Sequence, residues 1–251
     1  MQDIYMSDDG KGFPLVLVHG FLGSSEMWIL QKKYFSKFYR VLAPAIPGFG
    51  ESSNIKSYNS INEMAKIILI SLESKGIKKF NLLGHSMGGM IAQEIIKIDE
   101  KKINKLICYS TGSLGNMPGR FETIDKSIEN LKIVGLKKTA NKISKTWFLE
   151  GEKAKYYYLC DNAIKHTTQK AAENSLLAMK KWNGFENLPN IKKETLIIWG
   201  DKDRSYNFDQ VKKLEKNIYK SKLVIFKNCA HNVHLENSDK FNETIKNFLS
   251  N

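Results

Sequence analysis

The sequence is poor in the residues that would mark several classes of protein. It has three cysteines in 251 residues, Cys108, Cys160 and Cys229, widely spaced and without a CxxC pair. That pattern argues against a disulfide framework and a cysteine-based zinc site, and a reducing, cytoplasmic setting is expected. No apolar run approaches the roughly 18 residues a membrane helix needs. The opening Met1-Gln2-Asp3-Ile4-Tyr5 has no basic stretch followed by an apolar one, so no signal peptide and no stable membrane insertion are expected. Arginine is scarce too. Only Arg40, Arg120 and Arg204 occur, and lysine supplies the rest of a net charge of +13. Nucleic-acid readers cluster their basic residues and use arginine at base edges. These lysines are scattered, so no nucleic-acid partner is expected. They read as a solvated face with at most a weak attraction to anionic surfaces.

What is present is an ordinary globular composition, 42% hydrophobic and 26% charged. Short apolar runs recur at Pro14–Val18, Val41–Ala43, Phe80–Leu83, Leu106–Tyr109, Thr195–Trp199 and Leu223–Phe226. Strands apolar on both faces belong in a parallel sheet covered by helices on both sides. Helical spacing appears between them: Ile61 to Ser74 carries apolar residues at 61, 64, 65, 68, 69 and 72, and Met90–Ile98 and Phe241–Phe248 follow suit. The alternation predicts an α/β fold with a doubly wound, mostly parallel sheet. Ile4–Met6 is expected to add an antiparallel edge hairpin. One segment breaks the pattern. Residues 112–190 hold no good strand, are rich in aromatics, and are punctuated by Gly112, Gly115, Pro118, Gly119 and Pro189. They read as a helical insertion, with 1–111 and 191–251 forming the core.

The strongest local signal is Gly84-His85-Ser86-Met87-Gly88, a GxSxG placed between an apolar strand and a helical pattern. Flanking glycines let strand and helix approach, and the sharp turn between them lifts the serine hydroxyl clear of the sheet. The Met87 N–H, at the start of the helix, would face developing negative charge. A nucleophilic serine needs a base, and the base an orienting acid. Candidates follow the last two strands: Asp201 or Asp203 after Trp199, and His231 or His234 after Phe226.

These residues resemble the α/β-hydrolase fold family over nearly the whole chain. The pieces are Val18-His19-Gly20-Phe21, Pro47-Gly48-Phe49-Gly50-Glu51-Ser52, Gly84 to Gly89, Trp199-Gly200-Asp201-Lys202-Asp203 and Ala230 to Glu236. The resemblance implies Ser86 as nucleophile, Asp203 as acid and His231 as base. It implies an oxyanion hole from the N–H groups of Phe21 and Met87, and a cap formed by the helical segment. His19 would brace the oxyanion loop, and His234 and Glu236 the loop of the base. His85, Trp147 and Tyr157 are candidate pocket residues, while His166 lies in the cap segment.

The implied reaction is acyl transfer to water on a small-molecule carboxylic ester, lactone or thioester, without metal or cofactor. The stretch Gly84 to Gln93 is similar to enol-lactonase and carboxylesterase branches. Ser86 stands where dehalogenases and epoxide hydrolases carry Asp. Met90 stands where the menaquinone-pathway synthase carries Arg, and His85 where carbon–carbon-bond hydrolases usually carry Asn. An acyl-carrier thioesterase or acyltransferase, a lyase of the menaquinone-pathway type and a triad-bearing small-molecule receptor remain as alternatives. Fold and triad define a reaction class; pocket chemistry selects the substrate, and the sequence assigns neither substrate nor oligomeric state.

Overall fold

A run such as Pro14-Leu15-Val16-Leu17-Val18 has no polar face, so it is stable only where both faces are covered. The computed structural model, which describes residues 3–116 and 118–250, places it there. The strands are β1 (Met6–Asp9), β2 (Pro14–Val18), β3 (Arg40–Pro44), β4 (Phe80–His85), β5 (Ile103–Tyr109), β6 (Thr195–Gly200) and β7 (Ser221–Phe226). They form one seven-stranded sheet in the order β1-β3-β2-β4-β5-β6-β7. Every pairing is parallel except that of β1 with β3. The edge strand therefore differs from the expected hairpin. It starts at Met6 and pairs across to β3, with Met6 opposite Pro44, because β2 is already occupied on both sides.

The helices are α1 (Ile29–Phe35), α2 (Ile61–Ser74), α3 (Met87–Ile98), α4 (Ile124–Ser144), α5 (Tyr157–Lys165), α6 (Gln169–Lys181), α7 (Phe208–Asn217), α8 (Val233–Glu236) and α9 (Ser238–Ser250). Alternate strand residues feed two cores. Val16, Val18, Leu82, Leu106 and Cys108 pack with residues of α2 and α3 and of the segment between β5 and β6. Leu15, Leu17, Leu83, Ile107 and Tyr109 pack with Trp28, Phe35 of α1 and Phe241 and Ile245 of α9. This period-two division is what a doubly wound sheet requires.

Among the described residues, the segment between β5 and β6 contains α4, α5 and α6 and adds no strand to the sheet. An isolated bridge joins Leu114 and Asn183 within it. Helix α4 is broken at Gly135, whose φ of 78° and ψ of 173° are non-helical. No helix among the described residues is long and apolar enough to cross a membrane.

Helix α3 approaches β4 and β2 closely at two glycines. A Cβ on Gly84 would sit 2.2 Å from the Gly88 carbonyl oxygen, and one on Gly88 would sit 2.3 Å from that of Val18. Neither neighbour is a flexible side chain. Gly84→Ala should therefore push α3 off the sheet and destabilise the chain by about 1–3 kcal/mol or more. Urea denaturation checks this; an unchanged midpoint would contradict the packing described.

Candidate active site

The turn from β4 into α3 carries Ser86 in a conformation that serine avoids, φ 55° and ψ −117°. Hydrogen bonds over-determine it. The Ser86 N–H donates to the Tyr109 carbonyl at 2.9 Å. The Ser86 carbonyl accepts from the Thr111 hydroxyl at 2.8 Å and from the Gly89 N–H at 2.9 Å. Strain of this kind costs on the order of 1–3 kcal/mol and persists only where the surroundings enforce it. Met87 is the first residue of α3, so its N–H is among those the helix leaves without an internal partner.

Of the two candidate acids, Asp203 meets a histidine. Its Oδ2 lies 2.9 Å from His231 Nδ1, and both side chains are almost fully buried. Asp203 Oδ1 accepts from the N–H groups of Ser205 at 2.7 Å and Tyr206 at 3.2 Å, which fixes the carboxylate. A capping box between Asn207 and Gln210 starts α7 directly after this loop and holds its far end. Asp201 is turned away and accepts from the Asn228 N–H at 2.7 Å. Ser86 and His231 line one cavity together with Phe21, His85 and Trp147, with an empty volume of about 290 Å³.

The remaining histidines hold this arrangement in place. His19 Nε2 accepts from the Ile46 N–H at 3.0 Å, which leaves its Nδ1 to donate to the Gly20 carbonyl at 2.8 Å. It thus braces the loop that carries Phe21. His234 is fully buried, with Nδ1 3.0 Å from the Tyr109 hydroxyl and Nε2 3.2 Å from the Met27 carbonyl. The same Tyr109 hydroxyl donates to the His231 carbonyl at 2.9 Å. His85 stacks on Tyr109, with ring centroids 4.4 Å apart, and lies 4.6 Å from the His231 ring. Glu236 accepts from the Ala230 N–H at 2.6 Å and from the Leu149 N–H at 2.7 Å.

Trp147 lines the site, 6.0 Å from the His231 ring. Tyr157, a candidate pocket residue from the sequence, is corrected: it lines neither cavity at Ser86. Its hydroxyl bonds the Ser144 hydroxyl at 2.9 Å and its ring packs on Phe148, because α5 turns that face towards the end of α4. His166 borders a separate groove beside Glu51 and Tyr158.

A second cavity at Ser86, of about 370 Å³, adds Arg120, Ser205 and Tyr206 to the site, along with Met90 and Met179. Sequence reasoning missed Arg120 and Tyr206. The Tyr206 ring lies parallel to that of His231, 5.8 Å away. Burial pushes its hydroxyl up to about 12, and hydrogen bonds with the Ser86 and Thr111 side chains only partly offset the shift, so the phenol is neutral. Neither residue has a motif; only the loops after β5 and β6 bring them in. Among the described residues no group of three or more metal-binding side chains occurs.

A serine on a strained turn, a histidine paired to a buried carboxylate and helix-end N–H groups define the class this fold houses. The α/β hydrolase fold family model matches residues 14–238, and the chain belongs to that family. Among its relatives is a 2-hydroxy-6-oxononadienedioate/2-hydroxy-6-oxononatrienedioate hydrolase from Comamonas testosteroni, 26% identical over 99% of this chain and 91% of that protein. An esterase from Exiguobacterium antarcticum shares the fold with a TM-score of 0.89 at 24% identity, covering 99% of this chain and 96% of the other. An enol-lactonase from Burkholderia xenovorans gives a TM-score of 0.89 at 21% identity, with the same coverages of 99% and 96%.

Burial dominates the electrostatics of His19, His85 and His234. It lowers His19 to about 4 and His234 to about 3, and holds His85 well below the ordinary histidine range. Their stabilising effect is therefore complete above the unfolded value of about 6.5 and is lost as pH falls towards the folded values. Each group should cost about 1.4 kcal/mol per pH unit within that window. Thermal unfolding between pH 7 and 4.5 should show a steep fall in Tm; a flat profile would mean that these rings are not buried in neutral form.

Proposed function

We propose that this chain hydrolyses a carboxylic ester, lactone or thioester of a small or medium acyl compound through an acyl-enzyme on Ser86. The observation that carries the reading is the strained Ser86 turn sharing a cavity with a His231–Asp203 pair 2.9 Å apart.

In this reading Ser86 Oγ attacks the carbonyl carbon while His231 Nε2 takes the hydroxyl proton. Asp203 accepts from the Nδ1–H, so the tautomer is set and the imidazolium is stabilised. The oxyanion is received by the N–H groups of Phe21 and Met87, each such donor contributing on the order of 10²–10³ in rate. The tetrahedral adduct collapses, the C–O bond breaks, and His231 returns the proton to the leaving alcohol. Water then attacks the acyl-enzyme, with His231 again as base, and Ser86 is regenerated. The helices of residues 112–190 act as the cap, with Trp147 as its wall over His231.

The relatives named as hydrolases of 2-hydroxy-6-oxo compounds favour one other reading, cleavage of a carbon–carbon bond beside a ketone. The two predict different substrates for the same serine.

A series of p-nitrophenyl esters from acetate to palmitate tests the proposal. Ser86→Ala should lose at least about 10⁴-fold of kcat, and Asp203→Asn should fall by a similar order with the fold intact. Activity surviving in Ser86→Ala would refute the mechanism. A wild type that turns over a 2-hydroxy-6-oxo-dienoate but none of the esters would transfer the assignment to the second reading.

A further inference from the structure

Arg120 lines the cavity of Ser86 with no carboxylate paired to its guanidinium among the described residues. Its Nη1 is buried and has no hydrogen-bond partner among the described residues. It follows β5 on the loop into α4, where the Phe121 N–H donates to the Arg204 carbonyl at 3.2 Å, and its guanidinium lies 5.3 Å from the Phe121 ring centre. The loop of Arg120 is therefore fastened to the loop of Asp203.

The nearby acid, Glu122, attracts the guanidinium through space without pairing with it. Glu122 is engaged by α4, accepting from the Ser127 hydroxyl at 2.8 Å, from Asn130 Nδ2 at 3.1 Å and from the Lys142 ammonium. Tyr206 stays protonated, as argued above. Apart from the uncharged hydroxyl residues Ser86 and Ser205, the other walls are largely apolar, among them Phe21, Met90, Ile124, Ile143 and Met179. Burial lowers the pKa of the guanidinium, which still remains charged at neutral pH. A largely desolvated cation without a paired counter-ion is costly, and its unpaired Nη1 adds to that cost. The cost is recovered if an anion enters the cavity.

We propose that Arg120 is the anchor for a carboxylate carried by the substrate, so that the ester acted on is acidic rather than neutral. This rests on the reading of Ser86 as nucleophile for the reaction, but not for the binding. A carboxylate fits better than a phosphate. One guanidinium balances one negative charge, and its planar fork matches two carboxylate oxygens. A phosphate monoester would bring nearly two charges and three acceptor oxygens into a pocket with a single cation.

Two measurements separate this proposal from the preceding one. First, succinate, glutarate and inorganic phosphate are titrated calorimetrically into Ser86→Ala. The dicarboxylates should bind saturably, and more tightly than phosphate. Adding Arg120→Gln should weaken them about 10–100-fold, and Arg120→Lys should recover part of the loss, since a lysine restores the charge without the fork. Second, kcat/KM is measured for p-nitrophenyl hydrogen glutarate and for p-nitrophenyl pentanoate. The acid-to-neutral ratio should fall about 10–100-fold in Arg120→Gln. A purely structural role for Arg120 would slow both esters together and leave the ratio unmoved. Circular-dichroism melting confirms that each variant is folded, and Arg120→Lys serves alone if Arg120→Gln is not. Absence of dicarboxylate binding, binding indifferent to Arg120, an unmoved ratio or a preference for phosphate would each overturn the proposal. Binding that depends on Arg120 in a protein that cleaves no ester would retain the anchor and refute the ester reading.

Discussion

The tight contact between β4 and α3 is the constraint on which the rest of the site depends. Gly84 and Gly88 bring backbone against backbone, with no room for a methyl group. The chain can pass from one element to the other only by a turn so sharp that Ser86 takes a positive φ. Everything else at the site is arranged around that fixed point. Thr111 and Tyr109, at the end of the neighbouring strand, hold the turn from one side. The loops after β6 and β7 deliver Asp203 and His231 from the other. Because the strands are parallel, all of these loops leave the same edge of the sheet, which is where open α/β sheets collect ligands.

Behind Ser86 and His231 lies a buried layer of rings. Trp28, His85, Tyr109, His234 and Phe241 pack face to edge and face to face. Such a layer does more than fill space. Tyr109 bonds the backbone of His231 and packs against His85, so it couples the position of His231 to the strand that leads into Ser86. Polar rings tolerate this depth only as neutral species with partners, which His19 and His234 find in backbone groups.

Much of this was legible in the sequence because it is local. Apolar runs became strands at Pro14–Val18 and Thr195–Gly200, and helical spacing marked Ile61–Ser74 to the residue. The GxSxG signal carries its own geometry, since glycine, serine and the strand-to-helix context are all within one short stretch. The edge strand was harder. Its partner is chosen by which strand of the finished sheet has a free side, and that is a property of the whole sheet. Arg120 and Tyr206 have no local signature at all. An arginine after Pro118-Gly119 reads as an ordinary loop residue until the loops after β5 and β6 meet over Ser86. Tyr157 illustrates the converse: an aromatic in the right segment, pointed elsewhere by the register of α5.

The segment between β5 and β6 is joined to the core right beside His231. The Asn232 N–H donates to the Trp147 carbonyl at 2.9 Å, and Glu236 clasps the N–H of Leu149. These two stitches lie one and five residues after His231 in the chain. A force that lifts the turn around Trp147 is therefore transmitted along the backbone to the imidazole. The Trp147 wall and the orientation of the His231 ring form one mechanical unit, and a molecule that presses on the first also tugs on the second.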